Sequence, residues 1–178
     1  MIRITGGKNR SRLLETPDTN LTKPTMDKVR LGVFSALSDA VIEASILDLF
    51  AGSGSYGFEA LSRGAKEVTF VDSSFEAIKT IKKNVEALKE ENNTSIEKSD
   101  IFTFLGQNSR KFSIIFADPP YKLDIYERLV NVLLSGGHIA ENGIIVLESE
   151  HELNIDNSLF KEVRFYKYGL AKVYILRK

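Results

Sequence analysis

Asp118-Pro119-Pro120-Tyr121 sets a carboxylate, two prolines and an aromatic ring in four consecutive positions. The apolar run before it, Phe112-Ser113-Ile114-Ile115-Phe116-Ala117, reads as a buried strand. An acid at the carboxyl end of a parallel strand stands where open α/β sheets take their ligands. Two prolines remove two backbone donors and stiffen the turn. The corner therefore presents carbonyls and a carboxylate beside a π-face. Such acceptors suit a planar, amine-bearing molecule such as a nucleobase. Taken alone, the same residues also make an ordinary turn. A second motif upstream favours the chemical reading.

Ser45–Phe50 is a short apolar run carrying one acid, Asp48. It leads into Ala51-Gly52-Ser53-Gly54-Ser55-Tyr56-Gly57 and then into a short helix over Phe58–Arg63, stopped by Gly64. Strand, glycine turn and helix are the context that a G-x-G-x-x-G nucleotide fingerprint demands. The next strand, Glu67–Asp72, ends in an acid placed to accept from both ribose hydroxyls of a nucleoside cofactor. Phe50, Ala51, Gly52, Ser53 and Gly54, with Asp72 and Ser73, are the candidate cofactor-binding residues. The fingerprint fits a nicotinamide cofactor or S-adenosylmethionine (SAM). Asp48 favours SAM, because it can pair with the ammonium of the methionine moiety. So does the Asp118 corner, which offers a place for methyl transfer and no hydride chemistry. Asp100 and Ile101 close a third strand, Ser95–Asp100, where they can grip an adenine; Asp100 can also cap a helix over Ile101–Gln107.

These residues need a scaffold that brings three strand ends to one edge. Ser74–Glu91 has apolar residues at helical spacing. Asp124 can cap a helix through Leu134, and Gly136-Gly137 breaks it. Gly143–Glu148 reads as a strand. Phe160–Tyr168 and Leu170–Arg177 read as a hairpin around Gly169. Arg3–Thr5 and Arg12–Leu14 read as short strands around Gly6-Gly7. Helices alternating with apolar strands predict an α/β fold with a doubly wound, mainly parallel sheet.

The 178-residue length and 43% apolar content fit one domain with a short appendage. There is no cysteine, which excludes disulfides, Cys-zinc sites and methyltransferases that attack a pyrimidine through a thiol. No run approaches the roughly 18 apolar residues of a membrane span, and no signal peptide is visible, so a cytoplasmic protein is expected. The chain is neutral, yet through Arg30 it has seven basic residues against three acidic ones. That asymmetry predicts a phosphate-binding surface, with Lys8, Arg10, Arg12, Lys28 and Arg30 as its candidates. Tyr56 either lines the cofactor pocket or packs on the sheet. His138 and His151 have no ligand-spaced partners and read as surface residues; no metal is expected.

Together these motifs resemble the RsmD family of bacterial 16S rRNA guanine-N2 methyltransferases. Gly6-Gly7-Lys8-Asn9-Arg10-Ser11-Arg12-Leu13 is similar to the family's G-G-x-x-R-G-R-x-L, with Ser11 in place of a glycine. Pro24-Thr25-Met26-Asp27-Lys28-Val29-Arg30 is similar to its R-P-T-x-D-R-V-R-E, with Lys23 for arginine and Leu31 for the usual Glu. Asp48–Gly54, Glu59-Ala60-Leu61-Ser62-Arg63-Gly64 and Asp118–Tyr121 fit closely. The resemblance implies a seven-stranded, Rossmann-like SAM-dependent fold that methylates one guanine amine of small-subunit rRNA. It implies a basic arm over residues 1–24 that contacts RNA and a methyltransferase domain over 25–178. In that chemistry Asp118 and the Pro119 carbonyl accept the amine hydrogens, Pro120 stiffens the corner and Tyr121 stacks on the base. A monomer is expected. Free rRNA and a 30S assembly intermediate stay open as substrates. The rival readings are a DNA adenine-N6 methyltransferase, an RNA-binding protein with a vestigial SAM pocket and, more distantly, a nicotinamide oxidoreductase.

Overall fold

A computed structural model describes residues 1–17, 27–120 and 123–178. Its centre is a seven-stranded sheet of order β5-β4-β3-β6-β7-β9-β8. The strands are β3 (Ser45–Leu49), β4 (Glu67–Asp72), β5 (Thr94–Lys98), β6 (Phe112–Ala117), β7 (Ile139–Ser149), β8 (Glu162–Tyr168) and β9 (Ala171–Arg177). The β5-β4-β3-β6-β7 pairings are parallel, while β9 lies antiparallel between β7 and β8. The sheet is thus doubly wound and mainly parallel, as the alternation of elements predicts. Strand β7 begins earlier than the apolar run Gly143–Glu148, because Ile139 pairs with Phe112 across a register shift.

Helices cover both faces, so the central strands are apolar on both sides. One face packs against α1 (Asp27–Leu37), α2 (Ser55–Ser62) and α3 (Phe75–Leu88) through Ile46, Phe70, Phe116 and Val146. The other packs against α4 (Ile101–Gln107) and α5 (Tyr126–Ser135) through Leu47, Leu49, Ile115 and Leu147. Residues two apart on each strand share a core and their neighbours face the other, as the strand period requires. Helix α1 is not among the elements expected from the sequence. Yet its buried residues Val29, Val33, Phe34 and Leu37 recur at helical spacing.

A two-stranded ribbon, β1 (Ile2–Arg3) and β2 (Leu13–Leu14), opens the chain. Ile2, Ile4 and Leu14 are buried in the same core as α1, α2 and α3. Glu59 on α2 fastens the ribbon: its carboxylate accepts from Thr5 N at 2.8 Å, Thr5 Oγ1 at 2.7 Å and Arg63 Nε at 2.7 Å. Gly7, at φ +76°, sits so close to α2 that a Cβ there would lie 1.8 Å from the Ser62 carbonyl oxygen. Two motifs about fifty residues apart, Gly6-Gly7 and Glu59–Gly64, are therefore two sides of one contact.

Candidate active site

The winding of the sheet reverses between β3 and β6. From β3 the chain builds outward to β4 and β5, then returns through α4 to β6 on the other side. At such a switch point the loops leaving two adjacent strands part and open a crevice. Leu49 pairs with Ala117 at the carboxyl ends of these two strands. The glycine turn after Leu49 and the proline corner after Ala117 therefore leave the sheet side by side.

The glycine turn is tightly built. Phe50, Gly52 and Gly54 all lie at positive φ (58°, 56° and 77°), and Gly54 starts α2. Two carboxylates hold the turn by its amides. Asp48 Oδ2 accepts from Gly57 N at 2.9 Å. Asp72 Oδ2 accepts from Gly52 N at 2.9 Å, and its Oδ1 accepts from Ser74 N at 2.8 Å. Gly57 allows α2 to approach β4: a Cβ there would stand 2.3 Å from the Phe70 ring. Asn84, which sequence analysis does not single out, donates to the Ser53 carbonyl at 3.1 Å and so ties α3 to the turn. Ala51 and Ser53 are buried within it, and Ser73 is exposed beside Asp72.

Asp48 is 3% exposed. Burial pushes its carboxyl up to about 8; the Gly57 amide opposes that shift and the nearby Asp72 charge adds to it. A buried acid of this kind is short of positive charge and suits an ammonium ligand. Together with the left-handed backbone at Phe50, Gly52 and Gly54, it fits the methionine end of SAM. Asp72, at the next strand end, is placed for the ribose. Asp100 caps α4, accepting from Thr103 N at 3.0 Å, while Ile101 is buried against the second core. The capping role read from the sequence is thus present, and Asp100 stays exposed at the third strand end.

At the corner, Asp118 is half-buried, Pro119 buried and Pro120 exposed; Tyr121 lies outside the described residues, as do Lys23, Pro24 and Thr25. The Pro120 carbonyl accepts from Leu123 N at 2.8 Å, closing the turn. Behind the corner is a polar cluster that sequence analysis misses. Glu148, at the end of β7, is 4% exposed, and its Oε2 accepts from the Tyr56 hydroxyl at 2.8 Å. The Tyr126 hydroxyl donates to the Glu148 carbonyl at 3.0 Å. Burial raises the Glu148 carboxyl, with Tyr56 and Arg30 opposing. Burial likewise raises both tyrosines, with Glu148 and Asp118 adding to the shift. Tyr56 stacks on Phe116 with centroids 4.8 Å apart, so of its two readings it packs on the sheet. The signal for Glu148 was available: like Asp118, it is an acid at the end of an apolar strand.

Lys8, Arg10, Arg12 and Lys28 are exposed. Lys8 Nζ lies 2.7 Å from Glu90, and Arg12 donates to the Ala87 carbonyl, so both lie along α3. Arg30 is different and corrects the sequence reading. It is fully buried, donates to Asp27 at 2.7 Å and to the Arg3 carbonyl, and lies 3.9 Å from Glu59. Its charge joins α1 to the ribbon and to α2, out of reach of a phosphate. The reading of His138 as a surface residue is corrected as well. It is 3% exposed, beside Asn108 at 3.3 Å, and burial lowers its basicity.

The family described as conserved hypothetical protein 95 matches residues 2–177. The chain is 38% identical over 151 residues to ribosomal RNA small subunit methyltransferase D of Escherichia coli K12, covering 85% of this chain and 76% of that one. A solved structure of an E. coli putative methyltransferase superposes with TM-score 0.89 at 33% identity, covering 99% of this chain and 97% of that one. A Thermus thermophilus 16S rRNA N2 methyltransferase in complex with AdoMet and guanosine superposes with TM-score 0.71 at 23% identity. That match covers 88% of this chain and 44% of that one, and it shares the fold.

Proposed function

The chain belongs to the RsmD family of ribosomal RNA methyltransferases, and from that premise we propose that it uses SAM to methylate the exocyclic N2 amine of one guanine in 16S rRNA. The observation that carries the reading is the adjacency of the glycine turn and the proline corner at the Leu49–Ala117 pair. A methyl donor on the first and a purine on the second would be neighbours.

Bound SAM supplies an electrophilic methyl group on a sulfonium. The protein's own residues do the rest by placement. Asp48 holds the ammonium, Asp72 the ribose, and Asp100 with Ile101 the adenine. Phe50, Ala51, Gly52, Ser53 and Gly54 form the wall along the methionine, and Ser73 flanks the ribose acid. The guanine amine is a poor nucleophile because its lone pair is delocalised into the ring. Asp118 and the Pro119 carbonyl accept its two hydrogens, which favours pyramidal nitrogen and aims the lone pair. Orientation of this kind supplies about 7–11 kcal/mol in well-ordered systems. Tyr121 stacks on the extruded base, a contact worth about 1–3 kcal/mol. The proton leaves to solvent after transfer.

Lys8, Arg10, Arg12 and Lys28 line the ribbon and the start of α1, and they meet the RNA backbone there. The division of labour is thus a basic arm over residues 1–24 that grips RNA and a domain over 25–178 that methylates it. The protein acts as a monomer in the cytoplasm, on 16S rRNA either free or within a 30S assembly intermediate. No helix among the described residues is long and apolar enough to cross a membrane.

The test is methyl transfer from labelled SAM to 16S rRNA, to 30S particles and to duplex DNA, followed by mass mapping of the product base. N2-methylguanine at a single small-subunit position is the expected product. Label in DNA N6-methyladenine, or label nowhere, would replace this reading.

A further inference from the structure

Asp118 shares its end of the sheet with a second acid. Ala117 pairs with Leu147 in the β6–β7 register, so Asp118 and Glu148 are the next residues along the two strands. Strand spacing puts their backbones about 5 Å apart. Glu148 follows Val146 of the first core by two positions within β7 and so belongs to the face covered by α1 and α2; the Asp118 charge, just past the end of β6, is felt by Tyr56, the partner of Glu148, and by Tyr126.

Glu148 is clamped. Tyr56 from α2 holds its carboxylate through Oε2 at 2.8 Å, and Tyr126 from α5 holds its backbone carbonyl at 3.0 Å. Stacking on Phe116 fixes the Tyr56 ring in turn. Burying an ionisable acid is unfavourable unless it is hydrogen-bonded or paired, and the Tyr56 hydroxyl and the Arg30 charge meet that need for Glu148. Here the acid is buried, oriented from two helices and set beside the reacting corner.

Guanine carries two adjacent kinds of donor on one edge, the N2 amine and N1–H. Two acceptors side by side match that edge. Adenine and cytosine, the other bases with exocyclic amines, present a bare ring nitrogen next to the amine. A carboxylate facing that lone pair is repelled and left unpaired. Sites built around a specific hydrogen bond reject analogues lacking it far more strongly than apolar pockets do.

We propose that Glu148 is the specificity residue of this site, accepting the N1–H of the target guanine while the Asp118 corner holds the N2 amine. The inference rests on the function proposed above and names what makes that site choose guanine.

The experiment compares small-subunit RNA carrying, at the mapped position, either guanosine or 2-aminopurine riboside. Both bases have the 2-amine; 2-aminopurine lacks the 6-oxo group and has a bare acceptor in place of N1–H, so the change of the ratio in a Glu148 variant isolates the N1 contact. The wild-type protein should favour guanine by at least about 100-fold in kcat/KM, by analogy with sites built around one hydrogen bond. Glu148→Gln, whose amide can donate to the bare nitrogen, should cut that ratio at least tenfold. Tyr56→Phe keeps the carboxylate and should keep the preference while lowering kcat. An unchanged ratio in Glu148→Gln overturns the inference, as does collapse of the ratio in Tyr56→Phe, which would assign selectivity to packing of the corner. If Glu148→Gln does not fold, equal methylation of the two bases by the wild-type protein overturns it. Methylation of guanine N2 that is indifferent to Glu148 leaves the proposed function standing. A wild-type protein that methylates neither base brings both down.

Discussion

Asp72 and Gly52 are joined across two strands: the carboxylate at the end of β4 accepts the amide in the turn after β3 at 2.9 Å. The acid that the sequence marks as a ribose ligand therefore also shapes the loop that receives the rest of the cofactor. Its other oxygen is engaged by Ser74 N at 2.8 Å, so ribose hydroxyls must share lone pairs with backbone donors.

Removing this acid should cost both roles at once. Hydrogen bonds to charged groups contribute about 1.5–3 kcal/mol each. Asp72→Ala is expected to weaken SAM binding by about 10- to 100-fold, measured by calorimetry, and to lower the melting temperature. Unchanged affinity would show that neither the ribose contact nor the turn depends on Asp72.

Asp118→Ala should separate binding from chemistry. SAM affinity should stay within about twofold, because the glycine turn is intact. Methyl transfer should fall by about 10²–10³-fold, the drop seen when one preorganised polar group at a reacting centre is removed. A variant that still methylates rRNA at near-normal rate excludes Asp118 from the reacting centre.

SAM binding should depend on pH through Asp48. Burial raises this carboxyl to about 8 in the free protein, so below that pH it carries a proton. An ammonium ligand prefers the ionised form, so binding releases the proton. Affinity should therefore rise with pH between 5 and 7, by up to about tenfold per unit. Proton release measured by calorimetry in buffers of different ionisation enthalpy checks the sign. Asp48→Asn should bind weakly and with a flat profile over that range; a flat profile in the wild type would sink the argument.

The basic residues divide by burial. Replacing Lys8, Arg10, Arg12 and Lys28 with Ala should weaken RNA binding and flatten its salt dependence. Each phosphate neutralised by a cation contributes about 0.7 to the log–log salt slope on single-stranded RNA, so the slope should fall by about that much for each side chain that touches one. Folding should survive, since all four are exposed and Glu90, the buried acid paired with Lys8, keeps Asn9 and Asn93 as donors. Arg30→Ala should instead lower stability by about 2–5 kcal/mol, because it empties a fully buried site and removes the hydrogen bonds to Asp27 and the Arg3 carbonyl, while Glu59 keeps Arg63. An unaltered salt slope in the quadruple variant, or an Arg30→Ala protein of full stability, contradicts this partition.

Ser11 stands where the related sequence pattern has glycine, and it lies at φ +70°. A side chain there carries roughly 1–2 kcal/mol of left-handed strain. Ser11→Gly is expected to recover about 1 kcal/mol and to raise the melting temperature by about 2–4 °C. A lower melting temperature would mean that glycine's extra freedom in the unfolded chain outweighs the strain.

Elements that follow a local rule are legible along the chain. Phe112–Ala117 and Glu67–Asp72 are strands because their apolar runs have strand length. Gly52-x-Gly54-x-x-Gly57 is a turn into a helix because glycine readily takes the positive φ of positions 52 and 54 and, at 57, leaves room for the Phe70 ring. Asp48, Asp72, Asp100 and Asp118 were legible as acids at strand ends, since that position follows from the end of each run. Who stands next to whom comes from packing. Arg30 looks like every other cation in the basic stretch; burial between Asp27, the Arg3 carbonyl and Glu59 turns it into a structural charge. Glu148 and Tyr56 are 92 residues apart, and no local pattern pairs them. His138 is isolated in sequence and enclosed in space. Local propensity acts over a few residues, whereas strand order and helix packing choose partners from the whole chain. That is why the reactive motifs and the strand edge they share could be read along the chain, while the partners of Arg30, Glu148 and His138 could not.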